Sequence, residues 1–157
     1  MSDTDIVESL KRDLGAKALE VANPDRRRIF LKIAPADLVP AVTRLRDSYD
    51  CAYLATISGV DKGEVFEILY HFASPVASIT VRTEIPRTEP RLASICAVIP
   101  GSILYEREIQ EMFGITVEGI PDARRLNLPD DWPDHQYPLR KDWKFVRPTE
   151  VIPGGQS

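Results

Sequence analysis

Between residues 53 and 85 the sequence holds three stretches, 53–60, 64–72 and 77–85, whose apolar residues fall at alternate positions. Phe66, Ile68, Tyr70 and Phe72 occupy every second place in the middle stretch, and Ile79, Val81, Thr83 and Ile85 do so in the last. A period of two lines one face of a strand, so these stretches predict a meander with a single buried side, and any fold of this chain has to cover that side. The polar Asp61-Lys62-Gly63 supplies the turn between the first two strands.

Material to cover it lies on both flanks. Ile6, Leu10 and Leu14 form one helical stripe that Gly15 ends, with Asp5 and Glu8 spaced as a capping box at its start. Residues 18–22, the turn Asn23-Pro24-Asp25, and the alternating Ile29, Leu31 and Ile33 predict two further strands. Arg26, Arg27 and Arg28 sit where the second of these strands begins and read as solvated charges rather than a phosphate site. A second helix is predicted over 37–49 on Leu38, Val42, Leu45 and Tyr49, with Pro40 in its first turn where a missing amide costs little. Two more are predicted over 90–99 and 102–113, the latter capped by Ser102 and stopped by Gly114. The fold class expected is α+β: one domain with a mixed, largely antiparallel sheet flanked by helices.

After Gly114 the character changes. Pro121, Pro129, Pro133, Pro138, Pro148 and Pro153 exclude long helices and central strands. Yet Trp132, Tyr137, Trp143 and Phe145 stand among Arg124, Arg125, Arg140 and Lys141, whereas disordered linkers are poor in aromatics. The expected organisation is therefore a core over 1–114 and an extended, proline-rich C-terminal interaction arm over 115–157.

With 157 residues and 43% hydrophobic content the chain can bury one core unaided. A net charge of −4 offers no overall attraction to nucleic acid. The N-terminus has no secretory or transit pattern, and no apolar run is long enough to span a bilayer, so a soluble chain that meets a membrane only through partners is expected.

Little in the sequence points to chemistry. Cys51 and Cys96 lack CxxC spacing and sit among apolar residues, which suits buried thiols in a reducing compartment; two thiolates cannot hold an iron-sulfur cluster. His71 and His135 have no second ligand at helical spacing, so convergence of these four residues on zinc is disfavoured. Glycine spacing gives no phosphate loop or dinucleotide fingerprint. Asp130 and Asp131 suit a turn better than a cation site. The densest charge is the helix around Glu106, Arg107, Glu108 and Glu111, where Arg107 and Glu111 are spaced to pair. Glu106 or Glu108 as proton carriers would need raised pKa values. Arginines nearby favour the ionised form, so salt bridging to the arm or to a partner is the preferred reading.

Several short motifs run in order: Glu106-Arg107-Glu108, Phe113-Gly114-Ile115, Pro121-Asp122, Arg124-Arg125, Pro129-Asp130-Asp131-Trp132 and Pro138-Leu139-Arg140-Lys141-Asp142, with Ser58-Gly59-Val60-Asp61 and Tyr70-His71 upstream. Together they resemble the signature of the thirty-kilodalton subunit family of respiratory complex I and its membrane-bound hydrogenase relatives. Glu111 stands where the complex I pattern usually has Asp, and Ile120 where it has His before Pro-Asp. Both departures make the chain look closer to the formate hydrogenlyase-like, group 4 nickel-iron hydrogenase branch, where this module can be fused to the large subunit; here it is expected to dock as a separate chain.

The resemblance implies a structural subunit with no catalytic, cofactor or metal site of its own. Nickel-iron and iron-sulfur centres, or quinone and NADH sites, would lie in partners: a large catalytic subunit and iron-sulfur subunits on the cytoplasmic side of a prokaryotic inner membrane. The implied partner interface comprises Glu106, Arg107, Glu108, Glu111, Arg124, Arg125, Trp132, Arg140, Lys141, Asp142 and Trp143. Alternatives are a subunit of quinone-reducing NADH dehydrogenase and, in another class, a stand-alone metal-dependent hydrolase using Asp130, Asp131 and His135.

Overall fold

The computed structural model describes residues 2–145. Its strands are β1 (Glu20–Asp25), β2 (Arg28–Lys32), β3 (Tyr53–Asp61), β4 (Val65–Ala73), β5 (Ser78–Pro86), β6 (Arg91–Ala93) and β7 (Thr116–Glu118), and its helices α1 (Asp3–Leu14), α2 (Leu38–Tyr49) and α3 (Ile103–Phe113). The period-two stretches pair as predicted: β3, β4 and β5 form an antiparallel meander, with Phe66 opposite Ile85 and Phe72 opposite Ile79. The sheet continues through β2, parallel to β5, to β1, giving the mixed order β1-β2-β5-β4-β3. Phe66, Ile68, Tyr70 and Phe72 are fully buried and join α1, α2 and α3 residues in one core cluster. At about 1.5–3 kcal/mol per large apolar side chain, this face dominates folding. The opposite face carries ion pairs, Arg82 with Glu67 and Lys32 with Glu84, and holds His71 between Ser58 and Thr80.

Several local expectations change. The capping box of α1 is Ser2 with Asp5, so the helix starts earlier than the Asp5–Glu8 spacing suggests. The β1–β2 turn falls at Arg26-Arg27 instead of Asn23-Pro24-Asp25; Arg27 takes φ 59° and its guanidinium donates to the carbonyls of Pro75 and Val76. That arginine ties the hairpin to the β4–β5 loop and is more than a solvated charge.

The helix expected over 90–99 is absent. β6 pairs in parallel with β7 there, and one turn survives where Val98 and Ile99 donate to the Ile95 carbonyl. Pairing with β7, 25 residues away in sequence, overrides an apolar spacing that also fits a helix. Ser102 ends a short 3-10 turn and its side chain caps nothing; α3 does stop at Gly114, in the left-handed conformation. Ile115 and Val117 belong to the core cluster, so packing continues past residue 114. Residues 146–157 of the expected arm lie outside the described residues.

Candidate functional site

Cys51 and Cys96 are buried free thiols at separate places in the domain, and burial pushes the Cys51 pKa up to about 11. His71 is in β4, where burial lowers its pKa, while His135 lies in the arm. Among the described residues no group of three or more His, Cys, Asp or Glu side chains is placed to hold a metal ion. Asp130 and Asp131 are the central residues of a turn closed by the Trp132 amide on the Pro129 carbonyl.

The charged helix α3 uses its side chains differently from the pairing its spacing suggests. Glu106 is fully buried and, among the described residues, pairs with no arginine. Its carboxylate accepts from the Ile95 amide at 2.7 Å, the Ser94 hydroxyl at 2.6 Å and the Cys96 thiol at 3.1 Å, which fastens α3 to the loop after β6. Glu111 does not pair with Arg107. It accepts from the successive amides of Leu126, Asn127 and Leu128. Arg107 reaches the carbonyls of Arg124 and Arg125, and Glu108 is half-buried on the same helix. A segment with no strand or helix leaves its own amides and carbonyls open, and α3 satisfies both kinds.

Two of the arm's own arginines, Arg125 and Arg140, do the same. Arg124 pairs with Asp122, whose pKa that guanidinium holds well below the usual carboxylate range. Arg125 donates to the carbonyls of Pro129 and Trp132 and pairs with Asp134. The segment then returns to the domain. Leu139 donates its amide to the Met112 carbonyl, and Arg140 Nε donates to the Phe113 carbonyl at 2.7 Å, occupying carbonyls that the end of α3 leaves open.

Next to this lies Asp61, at the end of β3, with 2% of its side chain exposed. Its carboxylate accepts from Arg87 at 2.7 Å, the Lys141 amide at 2.9 Å and the Gly63 amide at 2.9 Å. Burial alone would raise its pKa, but these donors outweigh it and hold the carboxyl at about 2. Arg87 also bonds Asp142, and the Arg87 and Arg140 guanidiniums each lie 5.1 Å from the Phe66 ring centroid.

Two glycines permit the approach. A Cβ on Gly59 would sit 2.5 Å from the Phe113 ring, and one on Gly114 would sit 2.4 Å from the Tyr137 ring. The motifs around Gly59, Gly114 and Arg140, far apart in sequence, thus converge on one corner of the sheet. No one-dimensional signal marks that convergence, and Arg87, which no motif singles out, sits at its centre.

Beyond these contacts, the Trp132 and Trp143 rings lie 5.9 Å apart, tilted by 31°, both indoles donating to Gln136, and Phe145 lies 6.2 Å from Trp143. With Pro129 and Pro133 they line a groove of about 430 Å³. Leu126, Leu139 and Phe145 are 39%, 53% and 64% exposed, apolar side chains left in water on a segment much of whose hydrogen bonding goes to itself and to the domain.

The fold and site define a class: an α+β domain with a proline-rich strap fastened across its last helix, leaving Leu126, Leu139 and Phe145 exposed. The chain belongs to the family of the respiratory-chain NADH dehydrogenase 30 Kd subunit, whose family model matches residues 31–149. It is 33% identical over 132 residues to the beta subunit of the membrane-bound hydrogenase of Pyrococcus furiosus, covering 81% of this chain and 76% of that protein. To an NADH-quinone oxidoreductase subunit of Nocardioides sp. it is 32% identical over 151 residues, 88% of this chain and 60% of that one. To formate hydrogenlyase subunit 5 of Escherichia coli it is 50% identical over 64 residues, 41% of this chain and 11% of that protein, so the match spans only a small part of that relative. A chain in the structure of an archaeal membrane-bound sulfane sulfur reductase shares the fold, with TM-score 0.75 at 22% identity over 91% of this chain and 86% of that one.

Proposed function

We propose that this chain is a structural subunit of the peripheral redox arm of a membrane-bound hydrogenase or complex I-like oxidoreductase, docking on the large catalytic subunit and carrying no cofactor itself. The observation that carries this reading is family membership over residues 31–149. Among the described residues no helix is long and apolar enough to cross a membrane, and in this reading the chain reaches the cytoplasmic side of the bilayer through its partners. The exposed apolar side of the strap is the docking face, because aromatic anchors on an ordered segment lose little entropy on binding. The 50% identity to formate hydrogenlyase subunit 5, together with Glu111 and Ile120, favours the hydrogenase branch. In that branch nickel-iron and iron-sulfur centres reside in partner subunits.

The test is purification of the full chain, tagged, from detergent-solubilised membranes of its native host, followed by peptide identification and metal analysis. Co-purification of a large subunit with nickel and iron is expected. A large subunit without nickel, together with NADH:quinone activity, selects the respiratory complex. Recovery of the chain alone, turning over a substrate or holding stoichiometric metal, overturns the proposal.

A further inference from the structure

We propose that the strap is locked onto its own domain before any partner binds, with Asp61 as the positioning residue of the lock, so that the polar groups of the Pro138–Asp142 motif arrange the docking face and leave its exposed apolar side chains to the partner. The inference rests on where the motif's polar groups go. Leu139 gives its amide to Met112, Arg140 its Nε to Phe113, Lys141 its amide to Asp61 and Asp142 its carboxylate to Arg87. Four consecutive residues thus spend a polar group on the domain, two of them on α3 carbonyls and two on the Asp61–Arg87 pair.

The fit is also steric. Arg140 is held between the Tyr137 ring, 4.4 Å from its guanidinium, and the Phe66 ring, while Tyr137 fills the space that a Cβ on Gly114 would take. The Lys141 side chain is exposed and only its amide is used, so what the lock requires at this position is backbone. A second, separate fastening sits nearer the start of the strap, where Glu111 gathers three amides.

Two anchor points leave Trp132 and Trp143 on the stretch between and just beyond them, in contact with each other and both donating to Gln136. The entropy of ordering that stretch is then met on folding, and a partner binds a preformed surface. This goes beyond the proposed docking role, because the lock is a property of the isolated chain and holds whichever complex the chain joins.

The test is hydrogen exchange on the isolated full-length chain and three variants. In the wild type the Leu139 and Lys141 amides should exchange on the order of a hundredfold more slowly than unstructured amides. Lys141→Pro, which deletes the amide donated to Asp61, and Asp61→Asn should each speed Leu139 exchange by about tenfold or more while Leu128 stays protected by Glu111. Lys141→Ala keeps the amide and should leave protection unchanged. Unstructured-like exchange at Leu139 and Lys141 in the wild type overturns the proposal, and so does unaltered Leu139 protection in Lys141→Pro, a variant that leaves the Asp61–Arg87 pair intact if Asp61→Asn fails to fold. Because no partner takes part, failure of the proposed docking role leaves these outcomes readable.

Discussion

A carboxylate removed from water has to be met by donors, and the two most buried acids of this site do so by different means. Asp61 takes a guanidinium and two amides, whereas Glu106 takes an amide, a hydroxyl and a thiol, with no cation among its described partners. For Asp61 the folded pKa, about 2, lies below the ordinary 3.8, so its contribution to stability is complete above 3.8 and is lost as pH falls through about 2. Glu84, held to about 2 by Lys62 and Lys32, titrates with the same sign. Between about pH 4 and pH 2 the melting temperature of the wild type should therefore fall more steeply than that of Asp61→Asn, which lacks the Asp61 component and keeps those of Glu84, Asp122 and the other depressed acids. Parallel curves would mean that Asp61 is not ion-paired in solution. Glu106→Ala should destabilise by about 2–4 kcal/mol in a denaturant titration, since it strands the Ile95 amide and empties a packed site. Glu106→Gln, able to accept the same amide, should lose clearly less.

At the scale of elements, the approach of α3 to β3 depends on Gly59, whose missing side chain admits the Phe113 ring, itself edge-on to Phe66 at 5.8 Å. Gly59→Ala should cost roughly 1–3 kcal/mol by overpacking, measured as a lowered denaturation midpoint with unchanged slope. A neutral result would show that α3 can move off the sheet. The strands of the meander and α2 are legible in the sequence because their apolar periods are long and are satisfied locally by one face: β3, β4, β5 and α2 lie within a few residues of the sequence expectation. Residues 90–99 are not, because β6 is fixed by β7, which the chain reaches only after α3. The spacing of charges on α3 and the arm suggests side chain to side chain pairs. Arg107, Glu111, Arg125 and Arg140 go to main-chain groups as well or instead, because a segment without ladder or helix must have its amides and carbonyls answered by something. A sequence shows a charge and its spacing, but not which backbone lacks partners.

For the whole molecule, the engagement of the arm's charged groups with the arm itself and with the domain leaves the docking role to its exposed apolar side chains. Arg124 and Arg125 are engaged with Asp122, with carbonyls and with Asp134 within the strap itself, so their reversal would disturb the strap before it disturbed a partner contact. Leu139 and Phe145 are different: both side chains are largely exposed, and neither belongs to the core cluster. Replacing Leu139 and Phe145 together by Ser removes apolar surface that the isolated chain leaves in water. Its melting temperature should change little, because surface substitutions away from packed or hydrogen-bonded features lie within about 0.5 kcal/mol. If the strap is the docking face, the same variant should lose binding to the large subunit by about tenfold or more, since truncating apolar anchors in a desolvated interface costs about 1–2 kcal/mol each. The comparison is a thermal melt of the double variant beside a quantitative pull-down from solubilised membranes. Normal recovery of the large subunit with an unchanged melt would move the docking face elsewhere, with the edge strand β3 and its exposed Tyr53 and Val60 next to be tested.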